Sequence, residues 1–213
     1  MSTCWDYFQN NVDRPITKWS QYFPIYERYF NSFINKSVNV LEIGVFKGGS
    51  LQMWKNYFGP LSNIVGLDID QRCKEFEEPQ INIRIGDQRN AKVLNKLVEE
   101  FGNFDIIIDD GSHIMEDVIE SFKTLFPKLN NNGIYLIEDM HTSYWENHYN
   151  GGYKKSSTVI EYSKNLIDTL NREHFQNNLE KNDIYSISFF DSVIVFEKKK
   201  LYSKNMSIQS EGV

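Results

Sequence analysis

Residues 104–129, FDIIIDDGSHIMEDVIESFKTLFPKL, change hydrophobic period within a few positions. Phe104 to Ile108 form an almost unbroken apolar run of strand length, whereas Met115 to Leu129 place apolar residues three and four apart, as an amphipathic helix does. A strand that is apolar throughout is buried on both faces, which predicts a parallel sheet covered by helices. Between the two patterns stand Asp109, Asp110, Gly111 and His113, so titratable groups sit at the exit of a core strand.

The alternation extends in both directions. VNVLEIGV (38–45) reads as a buried strand running into glycines, and SLQMWKNYFG (50–59) as a helix stopped by Gly59. NIVGLDID (63–70) and INIRIGD (81–87) are strands, and AKVLNKLVEEFG (91–102) is an amphipathic helix closed by glycine. GIYLIEDM (133–140) is a further strand after an Asn-Asn-Asn-Gly turn, with a helix expected over about 157–172. IYSISFF (184–190) and SVIVFEKKK (192–200) are too close for a crossover and predict an antiparallel hairpin. The fold class is therefore α/β: a doubly wound, mostly parallel seven-stranded sheet with a C-terminal antiparallel hairpin and N-terminal helices. Residues 15–36 carry aromatic side chains near helical spacing, with Pro24 expected to divide two helical pieces. The expected organisation is an N-terminal helical extension over 1–37, one domain over 38–200 and a flexible tail over 201–213.

At 213 residues and 40% hydrophobic content the chain suits a single core. A formal charge of −6 argues against a broad nucleic-acid footprint, and Lys198 to Lys200 read as a solvated strand end. Cys4 and Cys73 are far apart in sequence and form no zinc or disulfide pattern, which fits a reducing cytoplasm. No apolar run approaches the ~20 residues needed to span a bilayer, and MSTCWDYFQNN is too polar for a signal peptide. The expectation is a cytoplasmic protein with neither a nucleic-acid partner nor a membrane span.

Doubly wound sheets bind ligands outside the carboxyl ends of their strands. Gly44, Gly48 and Gly49 follow the first strand, where glycine admits close approach of backbone to a ligand. They do not form a dinucleotide fingerprint, because Phe46 stands where GxGxxG needs glycine. Glu42 lies inside the first strand and needs a partner there. Asp68 ends the second strand, where a carboxylate can accept from both hydroxyls of a ribose, and Asp87 in GDQ (86–88) could meet an exocyclic amine. With no GxxxxGK[ST] loop, these acids suit a neutral or cationic nucleoside rather than a triphosphate.

LEIGVFKGGS (41–50), GLDID (66–70), GDQ, DDGSH (109–113) and IEDMHTSYW (137–145) together resemble class I methyltransferases with a Rossmann-like sheet, which use S-adenosylmethionine. Within that class they are most similar to the metal-dependent sugar O-methyltransferases of macrolide tailoring, of the mycinamicin and tylosin type, over roughly residues 38–197. The resemblance implies Glu42, Gly44, Ser50, Asp68, Asp87, Gln88 and Asp109 around S-adenosyl-L-methionine. It also implies Asp110, Glu138 and Asp139 as ligands of Mg²⁺, or another hard divalent cation, and His113 as the base. The macrolide enzyme with a similar DDGSH pattern carries a sizeable extra N-terminal domain, whereas about 37 residues precede the first strand here.

Independent chemistry points the same way. Asp109 and Asp110 end one strand, and Glu138 and Asp139 end another expected beside it, about 4.8 Å away. Two carboxylates about 5 Å apart repel by roughly 3 kcal/mol at an effective dielectric near 20, so the site calls for a cation or a proton. Oxygen ligation favours Mg²⁺ over zinc. A hydroxyl bound to such an ion is more acidic, and a nearby imidazole can take its proton. HTSYWENHYNGGYKK (141–155) is an aromatic and polar loop where an acceptor wall would sit, with His141, Tyr144 and Trp145 as substrate candidates. Trp19, Tyr22 and Tyr26 either close its opposite side, pack a helix or make a subunit contact in a homo-oligomer. The reading is a sugar O-methyltransferase acting on a carbohydrate or small-molecule acceptor. A catechol-type O-methyltransferase, a nicotinamide-dependent oxidoreductase and a non-catalytic binding module are the alternatives.

Overall fold

The structure is a computed structural model that describes residues 3–171 and 183–199. Residues 172 and 200, which end the last expected helix and strand, and the expected tail over 201–213 lie outside the described residues. Seven strands form one sheet: β1 (Asn39–Ile43), β2 (Asn63–Asp68), β3 (Ile81–Ile85), β4 (Phe104–Asp109), β5 (Leu129–Ile137), β6 (Ile184–Phe190) and β7 (Val193–Lys198). Their order is β3-β2-β1-β4-β5-β7-β6, parallel from β3 to β5, with β7 antiparallel to both its neighbours. The strand order reverses between β1 and β4, and the carboxyl ends of those strands carry the glycine turn and DDGSH.

Side-chain parity divides the core. Val40, Ile64, Ile106, Ile108, Ile134 and Leu136 face one side, against α1 (Cys4–Gln9), α2 (Phe23–Phe30) and α3 (Gly49–Phe58). Leu41, Val65, Ile107, Tyr135 and Ile137 face the other, against α4 (Ala91–Phe101), α5 (Met115–Leu125) and α6 (Val159–Asn165). A period of two makes this division automatic once each strand's register is set. A short α7 (Ile167–Leu170) follows α6, so the helix expected over 157–172 is two pieces.

Two local expectations need correction. Pro24 does not split a helix: it stands in the first turn of α2, where its missing N–H costs no hydrogen bond. The three asparagines do not make a turn before β5. They belong to the strand and loop out between the pairs Phe104–Leu129 and Ile106–Ile134, with Asn132 at φ +64° and the Asn130 amide donating to Asp105 Oδ1 at 2.8 Å. Within the N-terminal segment, α1 is begun by a capping box in which Thr3 and Asp6 satisfy each other's backbone N–H groups.

Candidate active site

Parity decides which acids meet. Glu42, Asp110 and Glu138 continue the face of Val40, Ile108 and Leu136, and all three point toward the N-terminal segment. There the Lys18 side chain, 2% exposed, places Nζ 2.6 Å from Asp110 Oδ2, 2.9 Å from Glu138 Oε2 and 3.4 Å from Glu42 Oε1. The remaining oxygens of the buried pair are also occupied, since the Tyr26 hydroxyl donates to Glu138 Oε1 at 2.7 Å and the Ser50 hydroxyl to Glu42 Oε2 at 2.7 Å. Burial pushes the Glu138 carboxyl above its ordinary range while the Lys18 ammonium opposes it, and burial likewise raises Glu42.

Asp109 has the opposite parity. Its buried carboxylate turns toward α5 and accepts from the Ser121 hydroxyl (2.5 Å), the Tyr135 hydroxyl (3.0 Å) and the Gln88 side-chain amide (3.1 Å). The structure thus differs from the cofactor contact expected of Asp109: alternation along β4 sends it into the core, away from the ligand face. Gln88 is drawn the same way, and its Oε1 accepts the Ser112 N–H at 2.7 Å, bracing the DDGSH loop from below.

Asp139 escapes the alternation. It lies just past β5 with φ +56°, a left-handed conformation that swings its carboxylate back beside Asp110. His113 also has φ +56°, and its Nε2 lies 3.8 Å from Asp110 Oδ1 and 3.6 Å from Asp139 Oδ2. Asp110, His113 and Asp139 each offer a ligand atom within 4.8 Å of the others. Hard oxygen donors beside an imidazole, with an ammonium already resting between Asp110 and Glu138, fit a divalent cation. Asp139 is held by the Tyr22 hydroxyl, 2.6 Å from its Oδ1, while Ser192 in the β6–β7 turn lies 2.9 Å from that hydroxyl.

A groove of about 520 Å³ runs from this cluster along the strand ends, walled by Thr17, Lys18, Gly44, Ser50 and Asp68. Gly44, Asp68 and Gly111 also border a second recess that continues past Ile69, Asp87 and Gln88. Glycine is required at position 44: φ is +95°, and a Cβ there would lie 2.1 Å from the Asp110 carbonyl oxygen. Asp68 shapes the glycine turn, because its Oδ2 accepts the N–H groups of Val45 (2.8 Å) and Phe46 (3.1 Å). Asp87 accepts the Arg89 N–H at the foot of the recess.

Known proteins are similar to this chain in sequence and in fold. Demethylmacrocin O-methyltransferase of Streptomyces fradiae is 35% identical over 208 residues, which cover 92% of this chain and 51% of that one. Mycinamicin VI 2''-O-methyltransferase of Micromonospora griseorubida is 39% identical over 173 residues, covering 76% and 42%. The solved MycE methyltransferase of mycinamycin biosynthesis, in complex with Mg, SAH and mycinamycin VI, matches with a TM-score of 0.81 at 36% identity over 87% of this chain and 50% of that chain. The chain has the methyltransferase fold and is homologous to these O-methyltransferases. It spans about half the length of the curated relatives it matches. No protein-family model matches it.

Aromatic rings border the acid cluster. Trp19 meets His141 edge-on at 5.9 Å, His141 meets Trp145 at 4.9 Å, Trp145 meets Tyr149 at 5.9 Å, and Tyr149 meets His113 at 6.2 Å. Trp19 and Trp145 remain exposed. His141 is oriented by Ser192, 2.6 Å from Nδ1. Tyr144, half exposed, lies beside Tyr153 instead of joining this row. Lys18 and Ser192 are not among the site candidates in the sequence, and Tyr22 and Tyr26 are weighed there only as aromatic surface, not as hydroxyl donors to Asp139 and Glu138. Tyrosine rather than phenylalanine at 22 and 26 was the available signal, since a buried phenol needs a hydrogen-bond partner.

Proposed function

We propose that the chain is a Mg²⁺-dependent O-methyltransferase that transfers the methyl group of S-adenosyl-L-methionine to a sugar hydroxyl of a glycosylated small molecule. The observation that carries the reading is the convergence of Asp110, His113 and Asp139 at one end of the long groove. In this assignment Asp68 receives the ribose, the recess beside Asp87 and Ile69 takes the base, and Gly44 and Ser50 border the amino-acid end. Asp110 and Asp139 hold the metal, with Glu138 available when its oxygen is released. A bound divalent ion would supply Lewis acidity that lowers the proton affinity of an acceptor hydroxyl. His113 Nε2 faces that position and takes the proton as the methyl is transferred. Because sulfur leaves neutral, the site needs no acid for the leaving group, and its remaining task is alignment of the acceptor. Trp19, His141 and Trp145 line the approach with ring faces and polar edges suited to a sugar.

Relatives whose names specify a rhamnosyl or an olivosyl acceptor support an O-methyltransferase of glycosylated metabolites. The test is transfer of label from S-adenosylmethionine to a panel of glycosylated macrolides, free sugars and catechols, with Mg²⁺ and with EDTA. Labelled sugar only when Mg²⁺ is present is expected. Labelling of catechols alone would replace the acceptor class, and undiminished transfer in EDTA would remove the metal.

A further inference from the structure

Asp110 divides its carboxylate between two neighbourhoods. Oδ2 is 2.6 Å from Lys18 Nζ, whereas Oδ1 faces His113, which in turn faces Asp139 Oδ2. Glu138 has no such division, because Tyr26 holds Oε1 and Lys18 holds Oε2. While Lys18 is in place, Asp110 and Asp139 can converge on an ion but Glu138 cannot join them. A Mg²⁺ ion sits about 2.0–2.1 Å from each ligand oxygen. An ion bridging Asp110 Oδ2 and Glu138 Oε2 would therefore share both oxygens with an ammonium, at a separation where like charges in a buried site repel strongly.

We infer that Lys18 is a tethered internal cation that competes with the divalent ion for Asp110 and Glu138, so that full metal binding expels its ammonium from between them. The inference rests on the metal site proposed above and deepens it. The departing side chain has somewhere to go. Lys18 is itself part of the groove wall beside Gly44 and Ser50, and the Ser50 hydroxyl on that wall donates to Glu42, the most distant partner of Lys18. The backbone that carries it is seated on the glycine turn, since a Cβ on Gly49 would lie 2.3 Å from the Pro15 carbonyl oxygen and 2.5 Å from that of Arg14. Metal occupancy and the position of residues 14–18 along the groove are thereby linked.

Removing the competitor raises apparent metal affinity, because the fraction of molecules with a free site increases. Titration calorimetry with Mn²⁺ on the full chain, without methyl donor, is expected to give about ten-fold tighter binding for Lys18→Met and for the polar Lys18→Gln than for wild type. Equal or weaker binding by the folded variants overturns the inference, since a lysine that merely supports the site would lower affinity when removed. Absence of Mn²⁺ binding in wild type and variants alike overturns the metal reading itself and the competition with it. If neither variant folds, wild type decides. Acetylation of Lys18, followed by peptide mass spectrometry, is expected to accelerate when Mn²⁺ is added, and an unchanged rate overturns the proposal.

Discussion

Asp109 and Asp110 are chemically identical neighbours with separate tasks, and the difference is visible in what each touches. Asp109 is the common acceptor for Ser121, Tyr135 and Gln88 inside the core. Asp109→Ala leaves those buried donors without their acceptor and is expected to cost about 3 kcal/mol in chemical denaturation. His113 is the opposite case. It is only partly buried, makes no contact shorter than 3.6 Å to the acids it faces, and contributes little to packing. His113→Ala is expected to leave the denaturation midpoint nearly unchanged while lowering kcat about 100-fold, and an unaltered rate would assign the proton transfer to another group. Both aspartates were visible in the sequence as candidates, but their division of labour was not. Assigning both to ligands required the strand tip to curl at Asp110, whereas the chain curls one strand later, at Asp139.

At the scale of elements, α2 and the turn before it act through hydroxyl groups as well as through packing. Tyr26 is fully buried, stacks parallel to Phe30 at 5.9 Å, meets Trp54 edge-on at 5.0 Å and donates to Glu138. Tyr26→Phe keeps the ring and removes only the donor to a buried carboxyl oxygen, so a loss of about 2 kcal/mol is expected, measured by urea unfolding. A change near zero would mean that Lys18 alone satisfies Glu138. The elements themselves were largely legible: each strand was located, and the α3 and α4 boundaries fall within a residue or so of the glycine stops. The Asn-rich stretch misled because Asn-Gly is a local turn signal, while its bulge is imposed by pairing with β4. Lys18 was illegible for a related reason. Its three carboxylate partners lie 24, 92 and 120 residues along the chain, and only the packed N-terminal segment brings them together.

For the whole molecule, the acid cluster makes stability depend on pH in an unusual direction. Burial raises the Glu138 carboxyl to about 8 from an ordinary value of 4.5. Between those values the folded chain keeps a proton that the unfolded chain releases, so this group's contribution to stability falls as pH rises. Glu138→Gln cannot ionise. Without metal, the melting temperature of this variant relative to wild type is expected to increase from about pH 4.5 to about pH 8 and to level off outside that window. A difference independent of pH would show that Glu138 titrates normally.

The parity that gathers Glu42, Asp110 and Glu138 on one face also determines which genetic changes the site can absorb. A substitution alters one side chain, but loss or gain of one codon within β4 would exchange the directions of every residue beyond it, sending Asp110 into the core and Asp109 toward Lys18. Changes of two codons would restore direction while shifting the acids along the strand. Length variation compatible with this site therefore belongs in the loops, and within the central strands the reading of the site is set by counting in twos.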